Sequence, residues 1–265
     1  MVVGYAVPRT PLGRSSIDPP PPWHYSSDVV GAEFWADPAA VAALLPNGLT
    51  PDKEANGRAT IMFLDWQFTS ENDEYLDPAR YQYREAFILV DALWEKQPVT
   101  FCPFIFVDND AAFARGWIQG FPKRMGSIFQ TRTFDAPSPA AAPVCAGGKF
   151  AASVASHGQR LADVKITLRE KVEDPTTMFN RPTALVRYFP TLVAGRHDKP
   201  AVNELTLSLT DDLAMVNLWT GDSEVRLPDV EGEELHALKP VRAGRGFRYG
   251  LAYSVTDLKI LRDLR

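Results

Sequence analysis

The sequence predicts a mainly β protein of the α+β type: antiparallel strands forming a β-barrel or double-sheet cone around a small cavity, with a few peripheral helices. Three observations predict it. Runs rich in β-branched and aromatic residues recur along most of the chain, polar or proline-containing turns divide them, and only a few short stretches carry the capping and spacing of a helix.

The opening is read as an extended arm. Consecutive prolines from Pro19 to Pro22 hold the backbone extended, so residues 1–24 form a proline-rich arm ahead of a single domain over residues 25–265. Asp37 and Pro38 stand as N-cap and first-turn proline of a short helix over 39–45, with Gly48 near its stop. Strands follow over 59–66, 83–93 and 99–107. Asn109 caps a second helix over 110–118, which stops at Gly120-Phe121-Pro122. Residues 150–156 and 161–169 flank His157-Gly158-Gln159-Arg160. There Ala162, Val164, Ile166 and Leu168 alternate with polar residues as in a half-buried hairpin. Residues 204–210, 214–219 and 247–255 extend the strand signal, and a helix over 256–264 closes the chain, with Asp257 in its first turn.

Composition excludes several function classes. A chain of 265 residues, 45% hydrophobic, can bury a sizeable core, and a net charge of −5 gives no general attraction to nucleic acid or to an anionic membrane. No apolar run approaches the roughly 18 residues of a membrane span, and residues 1–14 lack the apolar stretch of a secretory signal, so a cytoplasmic location is expected. Cys102 and Cys145 are too few for a disulfide framework and read as reduced thiols. His24, His157, His197 and His236 show no zinc-ligand spacing. Asp108-Asn109-Asp110 fits a strand-to-helix cap better than a calcium loop. With no phosphate loop or dinucleotide fingerprint either, no cofactor is expected. Arg242, Arg245 and Arg248 read as a solvated loop or a subunit contact.

The segment with chemical content is Gly120-Phe121-Pro122-Lys123-Arg124. An ammonium has no lone pair, so a lysine nucleophile must lose its proton near neutral pH, against a free pKa of about 10.4. Desolvation and a nearby positive charge both favour that loss. Trp117 and Phe121 are candidates to exclude water around Lys123, and Arg124 is a permanent cation directly beside it in sequence.

This segment resembles the acetoacetate decarboxylase superfamily, whose Schiff-base lysine follows a Gly-Tyr/Phe-Pro turn and precedes a second lysine. Tyr83-Arg84-Glu85, residues 104–110, Arg181-Pro182, Tyr188-Phe189-Pro190, Glu204-Leu205 and Trp219-Thr220-Gly221 fall in family order, so the resemblance spans roughly residues 25–260. It implies the fold of that family and an imine on Lys123. It also implies a proton-transferring carboxylate at Glu85 and a homo-oligomer, a dimer or a tetramer, which the arm and exposed aromatic strands also suit. Arg124 stands where the family has its second lysine, keeping the charge by which acetoacetate decarboxylase is known to activate its amine.

The departures point away from decarboxylation. An arginine on the N-terminal strand and a further glutamate, features of true decarboxylases, fall in this register near Ser27 and on Ile61 or Met62. Gln119 stands four residues before Lys123, where its amide can donate to a carboxylate that is kept. Gln-Gly-Phe-Pro-Lys-Arg resembles the aldolase-dehydratase and hydratase branch, which implies 2-oxo acid and aldehyde substrates, with Tyr83 and Tyr253 as candidate acids or bases at the departing hydroxyl. The reading is therefore a Schiff-base lyase acting on short 2-oxo acids. A β-keto acid decarboxylase and a non-catalytic small-ligand binding protein stand as its alternatives.

Overall fold

Long alternating strands pair edge to edge until the last meets the first, enclosing a cavity. The computed structural model describes residues 1–174, 178 and 181–265. In chain order its elements are β1 (Trp23–Trp35), α1 (Pro38–Leu44), β2 (Thr50–Pro51), β3 (Arg58–Thr69), α2 (Pro78–Tyr81), β4 (Gln82–Trp94) and β5 (Gln97–Val107). There follow α3 (Asp110–Gln119), β6 (Lys123–Met125), β7 (Ser127–Gln130), β8 (Lys149–Ser156), β9 (Gln159–Lys171), β10 (Thr183–Phe189), β11 (Val202–Arg226) and β12 (Arg242–Asp263). The sheet order β10-β5-β4-β3-β1-β12-β11 closes into a ring because β10 also pairs with β11. The far half of β11 leaves the ring to pair with β9, and β9-β8-β7 complete a second layer.

The two faces of the ring have different work because strand side chains alternate. On β3, Thr60, Met62, Leu64 and Trp66 face the cavity, while Ile61 and Phe63 point outward. The outward set joins Val30, Phe34 and Ile88 and packs against Phe150, Val154, Val164 and Ile166 of the second layer. That outer core holds the ring wall rigid from behind. At one end the ring interior is polar, where Arg58 and Arg181 pair with Asp91, Arg181 with Asp52, and Arg245 with Glu33.

Most pairings are antiparallel, as expected, but two are parallel: β10 with β5 and β6 with β5. A parallel pair needs a crossover, and α3 supplies it between β5 and β6. The helix is capped as the sequence implies, Asn109 Oδ1 accepting from Ala112 N at 2.9 Å. Gly120 ends it with φ 105°, and its missing Cβ lets the turn pass the backbone of Arg187.

The structure corrects three expectations. Residues 256–264 are not a helix: β12 runs on to Asp263, paired with β11. Leu258, Leu261 and Leu264 are half-buried at a spacing of three, which mimics helical periodicity. β12 carries Leu261 as an extra, unpaired residue where the register shifts between Leu205 and Thr206 on the partner strand. Residues 204–210 and 214–219 are one strand rather than two, with irregularities at Asp211/Ala214 and Val216/Trp219. Arg242, Arg245 and Arg248 lie within β12 rather than in a loop, over Trp35, on Glu33 and on Asp28 respectively. No helix among the described residues is long and apolar enough to cross a membrane.

Removing a ring that joins the two layers should be costly. Phe63→Ala is expected to lower the unfolding free energy by about 3–5 kcal/mol, read from urea denaturation at constant m-value.

Candidate active site

The crossover unit β5-α3-β6 places Lys123. Its strand lies beside β5 with Lys123 opposite Ile105, and β5 in turn carries Val107 opposite Glu85 of β4. Alternation turns Lys123 and Glu85 into the same cavity, where both are 5–6% exposed. Lys123 Nζ lies 2.6 Å from Glu85 Oε2, and the indole N–H of Trp66 donates to Glu85 Oε1 at 3.2 Å. Along its length the Lys123 chain fits against the bare backbone of Gly116 on α3; a methyl there would overlap its methylenes. The Trp117 indole N–H donates to the Lys123 carbonyl at 2.9 Å, fixing the backbone from outside.

A cavity of about 220 Å³ lies in front of the amine. Tyr25, Trp66, Tyr83 and Tyr253 form an aromatic cluster in its wall, with Trp66 at centroid distances of 5.6, 6.4 and 5.6 Å from Tyr25, Tyr83 and Tyr253. Lys123 Nζ is 5.5 Å from the Tyr83 ring centroid and 5.9 Å from that of Phe121. Gln119 also lines the cavity; its Nε2 donates one hydrogen to the Arg115 carbonyl at 3.2 Å, leaving a second N–H for another acceptor.

Electrostatics follow from burial. Desolvation lowers the Lys123 pKa; Glu85 opposes that by charge and hydrogen bond, and Arg115 reinforces it. Burial raises the Tyr83 phenol well above its ordinary value, with the charge of Glu85 adding to it. Tyr253 is raised in the same way, by burial and then by Tyr25 and Glu85. Both phenols therefore hold their protons near neutrality, and more tightly than a free tyrosine does.

Sequence reasoning placed two side chains elsewhere. Arg124 is not beside the amine: as the next residue of a strand it points to the opposite face, 43% exposed, over the Phe106 ring. There its guanidinium forms two hydrogen bonds to Glu233, at 2.6 and 2.7 Å. Trp117 is 44% exposed, packs on Phe113 and does not line the cavity. Lys123, Glu85, Tyr83, Tyr253, Gln119 and Phe121 are brought together.

The cation near the amine is Arg115, which the sequence reading missed. It is 1% exposed, its Nη1 lies 2.6 Å from Asp18 Oδ1, and its guanidinium lies 3.7 Å from the Phe68 centroid. The available signal was helical: Arg115 and Gln119 are four apart, hence on one face of α3, with Gly116 between them. Asp18 comes from the proline-rich opening. That segment is tied to its own chain where Trp23 Nε1 donates to the Pro19 carbonyl and Ser70 Oγ to the Pro20 carbonyl. Burial raises the Asp18 carboxyl to about 6 while Arg115 draws it down. Among the described residues no three His, Cys, Asp or Glu side chains gather as metal ligands.

A strand ring with an interior lysine against a carboxylate defines a class, and the comparisons agree with it. The acetoacetate decarboxylase (ADC) family model matches residues 5–264, and the chain belongs to that family. Among solved structures it is similar to the enduracididine biosynthesis enzyme MppR, complexed with the condensation product of pyruvate and imidazole 4-carboxaldehyde. The identity is 31% over all of this chain and 98% of that one, at a TM-score of 0.92. MppR complexed with pyruvate matches at 30% identity and TM-score 0.91, with both chains covered in full. An acetoacetate decarboxylase-like enzyme from Sphingomonas wittichii RW1 matches at 25% identity and TM-score 0.89, covering 98% of this chain and 100% of that one. Acetoacetate decarboxylase from Legionella pneumophila, at 16% identity and TM-score 0.76 over 93% of this chain and 89% of that one, shares the fold. No curated protein sequence matches the chain.

The Gly116 contact makes a local forecast. Gly116→Ala is expected to preserve helix α3, where alanine is favoured over glycine by about 1 kcal/mol, while driving the Lys123 side chain away from Glu85 Oε2. A crystal structure of the variant checks the displacement, and circular dichroism the retained fold.

Proposed function

We propose that this chain is a Schiff-base lyase that activates a short 2-oxo acid such as pyruvate on Lys123 and joins it to an aldehyde with loss of water, or runs the related hydration of an unsaturated 2-oxo acid. The observation that carries it is the amine of Lys123, buried in the wall of the ring cavity, with a lowered pKa and a carboxylate 2.6 Å away. The pyruvate and condensation-product complexes of MppR support the substrate class.

Each step has a group suited to it. The neutral amine attacks C2 of the 2-oxo acid, and the carbinolamine loses water to give the imine. Glu85 is the group within reach to relay protons at the nitrogen and, as carboxylate, to take one from C3, which leaves an enamine. The enamine carbon attacks the aldehyde carbonyl. The proton that Glu85 took from C3 passes to the new alkoxide, making it a hydroxyl. Glu85 then removes the second C3 proton while a phenol, Tyr83 or Tyr253, donates to that hydroxyl, which departs as water as the C3–C4 double bond forms. The phenolate recovers its proton from Glu85, and hydrolysis of the conjugated imine frees the lysine. Gln119 is assigned to hold the carboxylate through its second amide hydrogen. Arg124, paired on the outer face, has no part in these steps, and Trp117 serves by holding the Lys123 backbone.

Decarboxylation lacks a driving group. Besides Glu85, the described carboxylates lining the cavity are Glu33 and Asp91, which are engaged with Arg245 and with Arg58 and Arg181. Met62 lines the cavity in the neighbourhood where the resemblance places a second acid, and Ile61 points into the outer core. Apart from Glu85, which is paired with Lys123, no described carboxylate of the cavity is left without an arginine to crowd a substrate carboxylate held near Gln119. Incubation with acetoacetate should release little or no carbon dioxide above the uncatalysed rate; rapid release would assign the chain to the decarboxylases instead.

Borohydride reduction in the presence of pyruvate is expected to add one reduced adduct, located on Lys123 by peptide mass. Lys123→Ala should abolish it, and absence of any adduct on the wild-type chain overturns the reading. Because the amine must be neutral to attack, adduct formation should rise with pH through the lowered Lys123 pKa. It should reach its plateau before an ordinary lysine would, the direction set chiefly by burial.

A further inference from the structure

Two buried charges that act on the reacting amine have no part in those steps. Asp18 and Arg115 are joined at 2.6 Å, with side chains 0% and 1% exposed. One comes from the N-terminal arm and the other from α3. The Arg115 guanidinium carbon lies 5.6 Å from the centroid of the Tyr83 ring, and Lys123 Nζ lies 5.5 Å from that same centroid. The two cations therefore share one aromatic neighbour in an interior where charge is weakly screened.

We infer that Asp18 and Arg115 are a positioning pair that sets the charge state of the Lys123 amine, the guanidinium disfavouring its protonation and the carboxylate of the arm restraining that influence. The inference rests on the reading of Lys123 as the nucleophile. A lone Arg115 would repel a proton on Lys123; with Asp18 attached, the pair acts on the amine as a dipole rather than as a full charge. The electrostatics run in the same sense: Arg115 lowers the Lys123 pKa, and Asp18 and Lys123 attract. The other groups acting on the amine are Glu85 and Tyr83 from β4 and Cys102 from β5; those acting on the pair are Tyr25 from β1, Asp110 from α3 and Tyr5 from the arm. All of them remain in the variants below.

A pair that merely fastens the arm makes a different forecast. Loosening it by either substitution would admit water, relieve the burial of Lys123 and raise its pKa in both variants. A pair acting through charge gives opposite signs. Asp18→Asn frees the guanidinium from its counter-charge and moves the amine to lower pKa, whereas Arg115→Met moves it to higher pKa and Arg115→Lys restores it.

The measurement is the pH dependence of acetylation of Lys123 by acetic anhydride in the full chain, read from the mass of its peptide. The expected result is a midpoint shifted to lower pH by Asp18→Asn, to higher pH by Arg115→Met, and returned towards wild type by Arg115→Lys. A midpoint in Asp18→Asn that is unmoved or moves upward overturns the inference. Should Arg115→Met not fold, the sign of the Asp18→Asn shift decides alone. The nucleophile reading fails separately, by absence of a pyruvate adduct on wild-type Lys123, and the acetylation midpoints still decide the role of the pair.

Discussion

The contact on which the site depends is the 2.6 Å pairing of Lys123 with Glu85 inside the ring. Two such groups leave water at a cost of several kcal/mol each, and removing one partner of a buried pair costs about 3–5 kcal/mol. The surroundings are organised to hold them. The Trp66 indole orients the carboxylate, Trp117 fixes the lysine backbone, and burial lowers the pKa of the amine. By contrast Arg124 and Glu233 meet at the surface, where an ion pair contributes about 0–1 kcal/mol. Its place in sequence beside the lysine thus says little about its energetic weight.

Strand geometry explains why the ring can be both a wall and a site. Every second residue of β4, from Tyr83 through Glu85, Phe87 and Leu89 to Asp91, faces the cavity. One strand therefore supplies a phenol, a carboxylate, an apolar middle and a member of the charged end. The intervening residues Ala86, Ile88 and Val90 belong to the outer core. A shift of one residue in the pairing would exchange the two sets, so the packing that stabilises the ring also specifies which side chains reach the substrate space.

Much of this was legible in the sequence. Runs rich in β-branched and aromatic residues identify β3, β4 and β5, alternation identifies the β8–β9 hairpin, and caps locate α1 and α3. The Gly-Phe-Pro-Lys turn singled out Lys123 before any neighbour was known. What was not legible had physical causes. Arg124 reads from the sequence as the activating cation, but adjacency in sequence is adjacency in space only until a strand begins, and Lys123 is the first residue of β6. Arg115 was passed over because a single arginine in a helix usually snorkels to water, and its counter-charge, Asp18, lies 97 residues away. The terminal segment is strand rather than helix because its pairing with β11 continues to Asp263. Long-range pairing decided each of these cases, and local pattern carries no record of it.

The bare face of Gly116 has a consequence for the imine chemistry proposed for Lys123. A lysine side chain has about 2 kcal/mol of rotamer entropy to lose, and on most surfaces that loss falls at the moment of bond formation. Here the methylenes lie along a groove between helix and strand that admits no Cβ. The chain is therefore ordered when the protein folds, and the amine reaches the encounter already aimed. For the imine chemistry proposed above, a missing methyl group on α3 thus acts as preorganisation, moving a loss of freedom from each turnover to the single event of folding.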